Sequence, residues 1–327
     1  MSNLSDFHGD SNDPAIIFVA EVIKLEELID PVNIGEQARL VRATGDMRNV
    51  LCAILEPHTR TLHSGMTINP WQSQKIPTEN STEIRPVFDP AKHQYWVIQH
   101  WRRLFDRQLE NALELADPGL TPLISQVHPT LQSSGYVNAH AILNWLENSF
   151  VATTQTVAQK EIDGIAQVWK KLVEIEDEAN PDFDFIKKAI DDFFELKFVS
   201  TRRPLYVLGL FSIIEGLLTT PQDDTTGNSL THQIKEKLTL FGNRFPKPID
   251  FKVHLPGTKQ LDFKKVVSRL YQYRSTVAHG SPIDFETGEL KDLQRHDFVC
   301  AFLRVLVRRL IVQAINEPAL FRDIKRC

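Results

Sequence analysis

Apolar residues in the first half of the chain mostly recur at the intervals of a helix with one buried face. "NDPAIIFVAEVIKLEELID" opens with Asp13 in an N-cap position and Pro14 at the first helical residue, and predicts a helix. "NIGEQARLVRATGDMRNVLCAIL" predicts more helix, with a turn near Gly45. Residues 56–90 are rich in Pro, Ser, Thr and Asn and read as a long loop. "FDPAKHQYWVIQHWRRLFDRQLENALELADPG" predicts a helix capped by Asp89, with Pro90 at its first position, that stops at Pro118–Gly119. One or two long helices are expected over residues 136–178. No convincing run of alternating strands appears, and there is no internal repeat or low-complexity tract.

A second unit is expected to begin near "NPDFDFIKKAIDDFFELKF", residues 180–198, followed by helices over 204–219, 229–241, 261–279 and 291–316. Strong loop signals separate them, and amphipathic helices joined by short loops predict an antiparallel bundle. The expected fold class is therefore all-α. A mainly helical domain over residues 1–180, sensor or regulatory in role, precedes a helical bundle over residues 181–327.

Two charges stand out against this pattern. On the helix from Asp262, Phe263, Val266, Val267, Leu270, Val277 and Ala278 fall on one side, and Arg274 falls near the centre of that stripe. A guanidinium stays charged, so it must be paired or line a cleft. His279 points about 140° away from Arg274 on an ideal helix, where Gly280 and Pro282 end the helix. Glu215 is the single charged side chain between Leu205 and Thr220, on a helix apolar nearly all round. A lone buried carboxylate is costly, so Glu215 either reaches water at an edge or pairs with a cation. Arg274 is the natural partner, within ~4 Å. Spacing alone favours a structural reading: a histidine is favoured at a helix C-terminus by the dipole, and an arginine on a stripe is satisfied by a core carboxylate.

Composition is that of a globular protein, 42% hydrophobic and 24% charged, with net charge −5. The charge is uneven. Residues 231–279 hold ten Lys/Arg against three acids, a local excess that could attract a polyanion; the competing reading is a solvated helix face. Cys52, Cys300 and Cys327 are far apart and form no CxxC, which argues against disulfides and structural zinc and fits a cytoplasmic setting. The acidic N-terminus does not read as a secretory leader, and "PLYVLGLFSIIEGLL" is too short to span a bilayer, so no membrane role is expected. His93, His100, His128 and His140 lack metal-ligand spacing, and the aromatics of "HQYWVIQHWRRLF" read as core. No cofactor and no metal are expected; no Walker-type loop, GxSxG or HExxH is present.

The stretch "RSTVAH", Arg274 to His279, matches the Arg-X4–6-His signature of the HEPN superfamily, all-α domains that often act as ribonucleases. "LGLFSIIEGLLT", "NSLTHQIKEKLTLF" and "RLYQYRSTVAHG" together resemble the Apea-like HEPN group. The resemblance covers residues 182–316 as an ordered set of helices and does not reach residues 1–180. It implies a metal-independent endoribonuclease, a toxin or antiviral defence effector. In such an enzyme the RNA 2′-hydroxyl attacks the adjacent phosphorus, giving a 2′,3′-cyclic phosphate and a 5′-hydroxyl. His279 would be the general acid or base and Arg274 the phosphate binder. Glu215 would orient Arg274, with Ser275 and Tyr273 as supporting polar contacts. The family also implies RNA as partner, a homodimer with a composite site, and an antitoxin or regulatory partner. Many nuclease members carry Asn, Asp or His directly after the arginine, where this chain has Ser275. That departure keeps a non-catalytic HEPN RNA-binding or regulatory module as the alternative. A purely structural role for both residues in a helical scaffold is the third reading.

Overall fold

The structure is a computed structural model that describes residues 14–64, 73–77, 82–86, 94–101, 106–128, 133–137, 142, 154–219, 230–242, 244–245 and 248–326. The chain divides into two compact units, residues 1–169 and 170–327.

The expectation of an all-α fold is overturned by the first unit, which is built on an antiparallel sheet. Its strands are β1 (Ala15–Val19), β2 (Val22–Leu25), β3 (Val32–Ile34), β4 (Ala38–Arg42), β5 (Ser73–Pro77), β6 (Thr82–Pro86), β7 (Trp96–His100), β8 (Pro122–His128), β9 (Ser133–Val137) and β10 (Thr154–Val157). Six of them form one sheet in the order β3-β4-β7-β1-β8-β9. In its centre Ile17 lies opposite Ile98, and Ile98 opposite Leu40. β2 pairs with β10 in parallel, and β5 with β6 as an antiparallel pair. Helix α1 (Gly45–Ser64) packs Leu51 and Leu55 against Ile16, Phe18, Val41 and Val97 on one face of the main sheet. Helix α2 (Arg107–Leu115) follows β7, with Asp106 as its cap accepting from the Leu109 amide at 2.9 Å.

The misreading has a physical cause. "AIIFV" is buried at all five positions, so β1 shows no polar alternation. A strand covered on both faces reads as a continuous apolar run, and over so few residues that run is indistinguishable from buried helix. The β-branched content, Ile16, Ile17, Val19, Val97 and Ile98, was the usable signal. The helix expected from Pro14 is strands β1 and β2, and β7 replaces the first part of the helix expected from Asp89. Asp89 and Pro90 themselves lie outside the described residues. The loop expected over 56–90 contains the end of α1 and the β5–β6 pair. Of the aromatics expected in the core, Tyr95 and Trp96 are buried, on or beside a strand, whereas Trp101 is exposed.

The second unit is helical among its described residues. Helix α3 (Gln159–Asp177) runs across the division between the units. Then come α4 (Asp184–Glu195), α5 (Pro204–Leu218), α6 (Leu230–Gly242), the short α7 (Phe251–His254), α8 (Phe263–Ala278), α9 (His296–Asn316) and α10 (Pro318–Arg326). The helices expected over 180–316 are present with ends shifted by a few residues. Of the long helices expected over 136–178, α3 supplies Gln159–Asp177, while β9 and β10 take residues 136–137 and 154–157; α7 and α10 were not anticipated. Helix α5 packs against α4, α6, α8, α9 and α10. It buries Tyr206, Val207, Leu210, Phe211, Ile213, Ile214, Leu217 and Leu218, each worth roughly 1.5–3 kcal/mol of transfer free energy. Gly209 permits the close approach of Leu196, whose side chain lies where a Cβ would be. Among the described residues no helix is long and apolar enough to cross a membrane.

One core histidine gives the first unit a pH dependence. His100 on β7 is 1% exposed, and neither ring nitrogen has a hydrogen-bond partner among the described residues. Burial lowers its pKa below 6.5, partly opposed by the Asp106 charge. The unfolded chain therefore takes up a proton that the folded chain excludes. Stability from this group is fully present above pH 6.5 and declines as pH falls below it, with a slope of at most about 1.4 kcal/mol per pH unit. Denaturant unfolding at pH 7.5 and 5.5 should show wild type losing more stability on acidification than His100→Leu. Equal losses would mean that His100 carries no such burden.

Candidate functional site

Helix α8 carries the candidate residues. Its start is fixed by Asp262, whose carboxylate accepts from the Lys265 amide at 2.8 Å. Its buried stripe is Val266, Val267, Leu270 and Tyr273. This differs from the expected stripe: Ala278 is exposed, Val277 is half-buried, and Arg274 lies at the edge rather than the centre. The end of the helix forms a Schellman cap. The Gly280 amide donates to Val277 O at 3.1 Å, and the Ser281 amide to Thr276 O at 3.0 Å. Gly280 has φ +66, the left-handed conformation the cap requires. His279 is the C-cap residue and is exposed.

Glu215, from α5, and Arg274, from α8, are brought together. Arg274 Nη2 lies 3.1 Å from Glu215 Oε1 and donates to Oε2 at 3.3 Å. The side chains are 29% and 20% exposed. The pair is loosely made. Arg274 Nε and Glu215 Oε1 are buried without a hydrogen-bond partner among the described residues, and the Nη2–Oε1 approach is an ion pair but not a hydrogen bond. The Arg274 guanidinium also sits 5.6 Å from the Tyr271 ring, which meets Phe211 edge-on.

The other candidates fall elsewhere. Tyr273 is fully buried and committed to the core. Its hydroxyl is 2.7 Å from His296 Nδ1, and His296 Nε2 is 2.8 Å from Thr201 O. A carbonyl only accepts, so Nε2 carries the hydrogen, and in the neutral imidazole Nδ1 is then the acceptor and the tyrosine hydroxyl the donor. Burial pushes the Tyr273 phenol well above its ordinary value, with the neighbouring Cys300 adding to the shift. Tyr273 is thus a neutral tether rather than a contact for substrate. Cys300, also buried, has its thiol pushed up to about 12 by burial, which suits packing rather than nucleophilic attack. Ser275 is half-buried, and its carbonyl accepts from the His279 amide at 3.0 Å. Among the described residues, no hydrogen bond or ion pair joins the His279 side chain to Glu215 or Arg274.

Sequence reasoning missed four residues that shape this region. His296 ties α8 to the start of α9 and to Thr201, with no motif to mark it. Tyr271 was visible as one of two tyrosines before Arg274. Lys237 donates to Leu218 O at 2.9 Å, and Lys325 donates to Gly216 O, so both cap the end of α5 that presents Glu215. Burial, followed by repulsion from Lys237, lowers the pKa of Lys325. The basic run over 231–279 is also less available than its count implied. Lys264 pairs with Glu236, Arg244 with Glu317, and Arg269 with Glu289 and Asp292.

Two substitutions test these tethers by thermal unfolding. Tyr273→Phe leaves His296 Nδ1 without its donor and should cost about 1 kcal/mol. Glu215→Ala strands Arg274 and should cost about 1–3 kcal/mol, more than the loss of an exposed pair such as Lys171–Glu174. Stabilities equal to wild type would show that neither contact matters to the fold. Comparison with protein-family models, with curated proteins and with solved structures finds no match to this chain, so the family resemblance rests on the sequence stretches quoted above.

Proposed function

We propose that the chain is a metal-independent endoribonuclease of HEPN type, acting as a toxin or anti-phage effector in the cytoplasm. The observation that carries this reading is the arrangement on α8. A permanently charged Arg274 is held half-buried by Glu215, and five residues later His279 stands exposed at a tightly capped helix end. His279 is open to substrate, and Arg274 keeps donors beyond those spent on Glu215. In the reaction the RNA 2′-oxygen bonds to phosphorus as its proton passes to a base. The bond to the 5′-oxygen breaks as that oxygen gains a proton from an acid. His279 serves one of these two transfers, and Arg274 stabilises the charge on the non-bridging oxygens.

A single chain offers one histidine and one arginine on diverging directions of the same helix. The reading therefore includes a homodimer in which two copies of the motif complete one site. The apolar faces of α5 and α9 are largely used inside the unit, where most of their apolar residues are buried. An antitoxin or other regulatory partner belongs to the same proposal. The second reading, an RNA-binding module without cleavage, is favoured by one observation: Arg274 is already engaged by Glu215, and Ser275 stands where many nuclease members have a stronger polar group.

His279→Ala should abolish cleavage of total RNA in chelator while the melting temperature stays close to that of wild type. An exposed helix-end histidine contributes only about 0.3–1 kcal/mol through the dipole. Cleavage at the wild-type rate would remove His279 from the mechanism, and RNA binding without cleavage by either protein would favour the second reading. Sedimentation of the active species gives a separate check, because a strictly monomeric, fully active enzyme is incompatible with the composite site.

A further inference from the structure

The two partners of the Glu215–Arg274 pair are held very differently. Glu215 sits on a helix end fixed by several contacts. Its own carbonyl accepts from the Thr219 amide at 2.9 Å and from the Thr219 hydroxyl at 2.8 Å. Lys325 holds the next carbonyl, Gly216, and Lys237 holds Leu218. These two lysines donate to backbone oxygens, so among the described residues the cation paired with the Glu215 carboxylate is Arg274. Arg274, by contrast, hangs on a long side chain at the edge of α8. It makes one long hydrogen bond to Glu215, and its Nε is left without a partner among the described residues. A well-made arginine–carboxylate pair is bidentate, with contacts of about 2.7–2.9 Å. This pair gives its guanidinium a neutralising charge but little of the hydrogen bonding that would hold it there.

Such a contact must act against an incoming phosphate. The carboxylate cancels much of the guanidinium charge, and it repels a second anion brought to the same group. Phosphate offers what Glu215 does not: a fork of oxygens that can engage both Nη groups and, once Arg274 turns out from the helix, the Nε that is buried in the resting pair. We propose, on the reading of Arg274 as the phosphate ligand, that Glu215 is a resident counter-anion. It competes with phosphate for the Arg274 guanidinium and keeps the resting site at low affinity. Full engagement then requires the ligand to draw Arg274 away from Glu215, and the fold stores the cost of that step in a contact that also stabilises α5 against α8.

NMR titration of the full chain with inorganic phosphate at fixed ionic strength tests this, with wild type, Glu215→Gln, Arg274→Gln and the double variant. Glu215→Gln should bind phosphate about tenfold more tightly than wild type while melting at a lower temperature. Arg274→Gln should remove the binding, and the double variant should not regain it. A purely structural Glu215 would lower the melting temperature without tightening phosphate. Glu215→Asp keeps the charge but draws it back by one methylene, and should give a smaller gain in the same direction should the glutamine variant fold poorly. Phosphate binding no tighter in either Glu215 variant, yet still lost in Arg274→Gln, overturns the counter-anion role and leaves Arg274 as a phosphate ligand. Phosphate binding that is absent throughout, or indifferent to Arg274→Gln, overturns both.

Discussion

Helix α5 is the constraint on which the second unit depends. "PLYVLGLFSIIEGLL" has almost no polar face to offer water, so it must be enclosed by other helices. Helices α4, α6, α8, α9 and α10 supply that enclosure. Burying a helix this thoroughly leaves the problem of its C-terminal carbonyls, which have no partner within the helix. The chain solves it with side chains from neighbouring helices: Lys237 from α6 and Lys325 from α10 reach Leu218 and Gly216. The same helix end carries Glu215, and its half-buried carboxylate finds Arg274 on α8. The candidate site is thus a by-product of enclosing α5. The apolar helix sets where Glu215 lies, and Glu215 sets where Arg274 rests.

Much of that could be read from the sequence because the signals were local and strong. An uninterrupted apolar segment with one acid and a Gly–Ser–Pro stop after His279 are such signals, whereas the stripe of α8 reads with Arg274 at its centre although Tyr273 holds that position and Arg274 lies at the edge. The Glu215–Arg274 pairing followed from the cost of leaving either charge alone in a bundle. The first unit was illegible for the opposite reason. Its central strands are buried on both faces, so the alternation that identifies a strand is absent from β1 and β7. A proline after an aspartate looked like a helix start at Asp13–Pro14, yet the same pair is equally at home where a strand begins. The Tyr273–His296 tether lay beyond sequence reasoning altogether. It joins residues 23 apart through a loop whose path no local pattern specifies.

The position of Tyr273 beside Arg274 explains how one helix can serve packing and still present the residues of the proposed site. Neighbouring residues on a helix point about 100° apart. Tyr273 turns inward to His296 and Phe285, and so fixes the rotation of α8 about its own axis. With that rotation set, Arg274 must emerge at the edge, against Glu215 and Tyr271, and cannot sink into the core. The Schellman cap then ends the helix one turn later and leaves His279 in the open. The proposed function requires a charge that is reachable, together with an exposed proton carrier. The burial of one tyrosine and the left-handed turn at Gly280 provide the two halves of that arrangement. Neither half orients the two groups toward a common point within one chain, so any chemistry that needs both at once must draw on a change in the Arg274 rotamer or on a second copy of the helix.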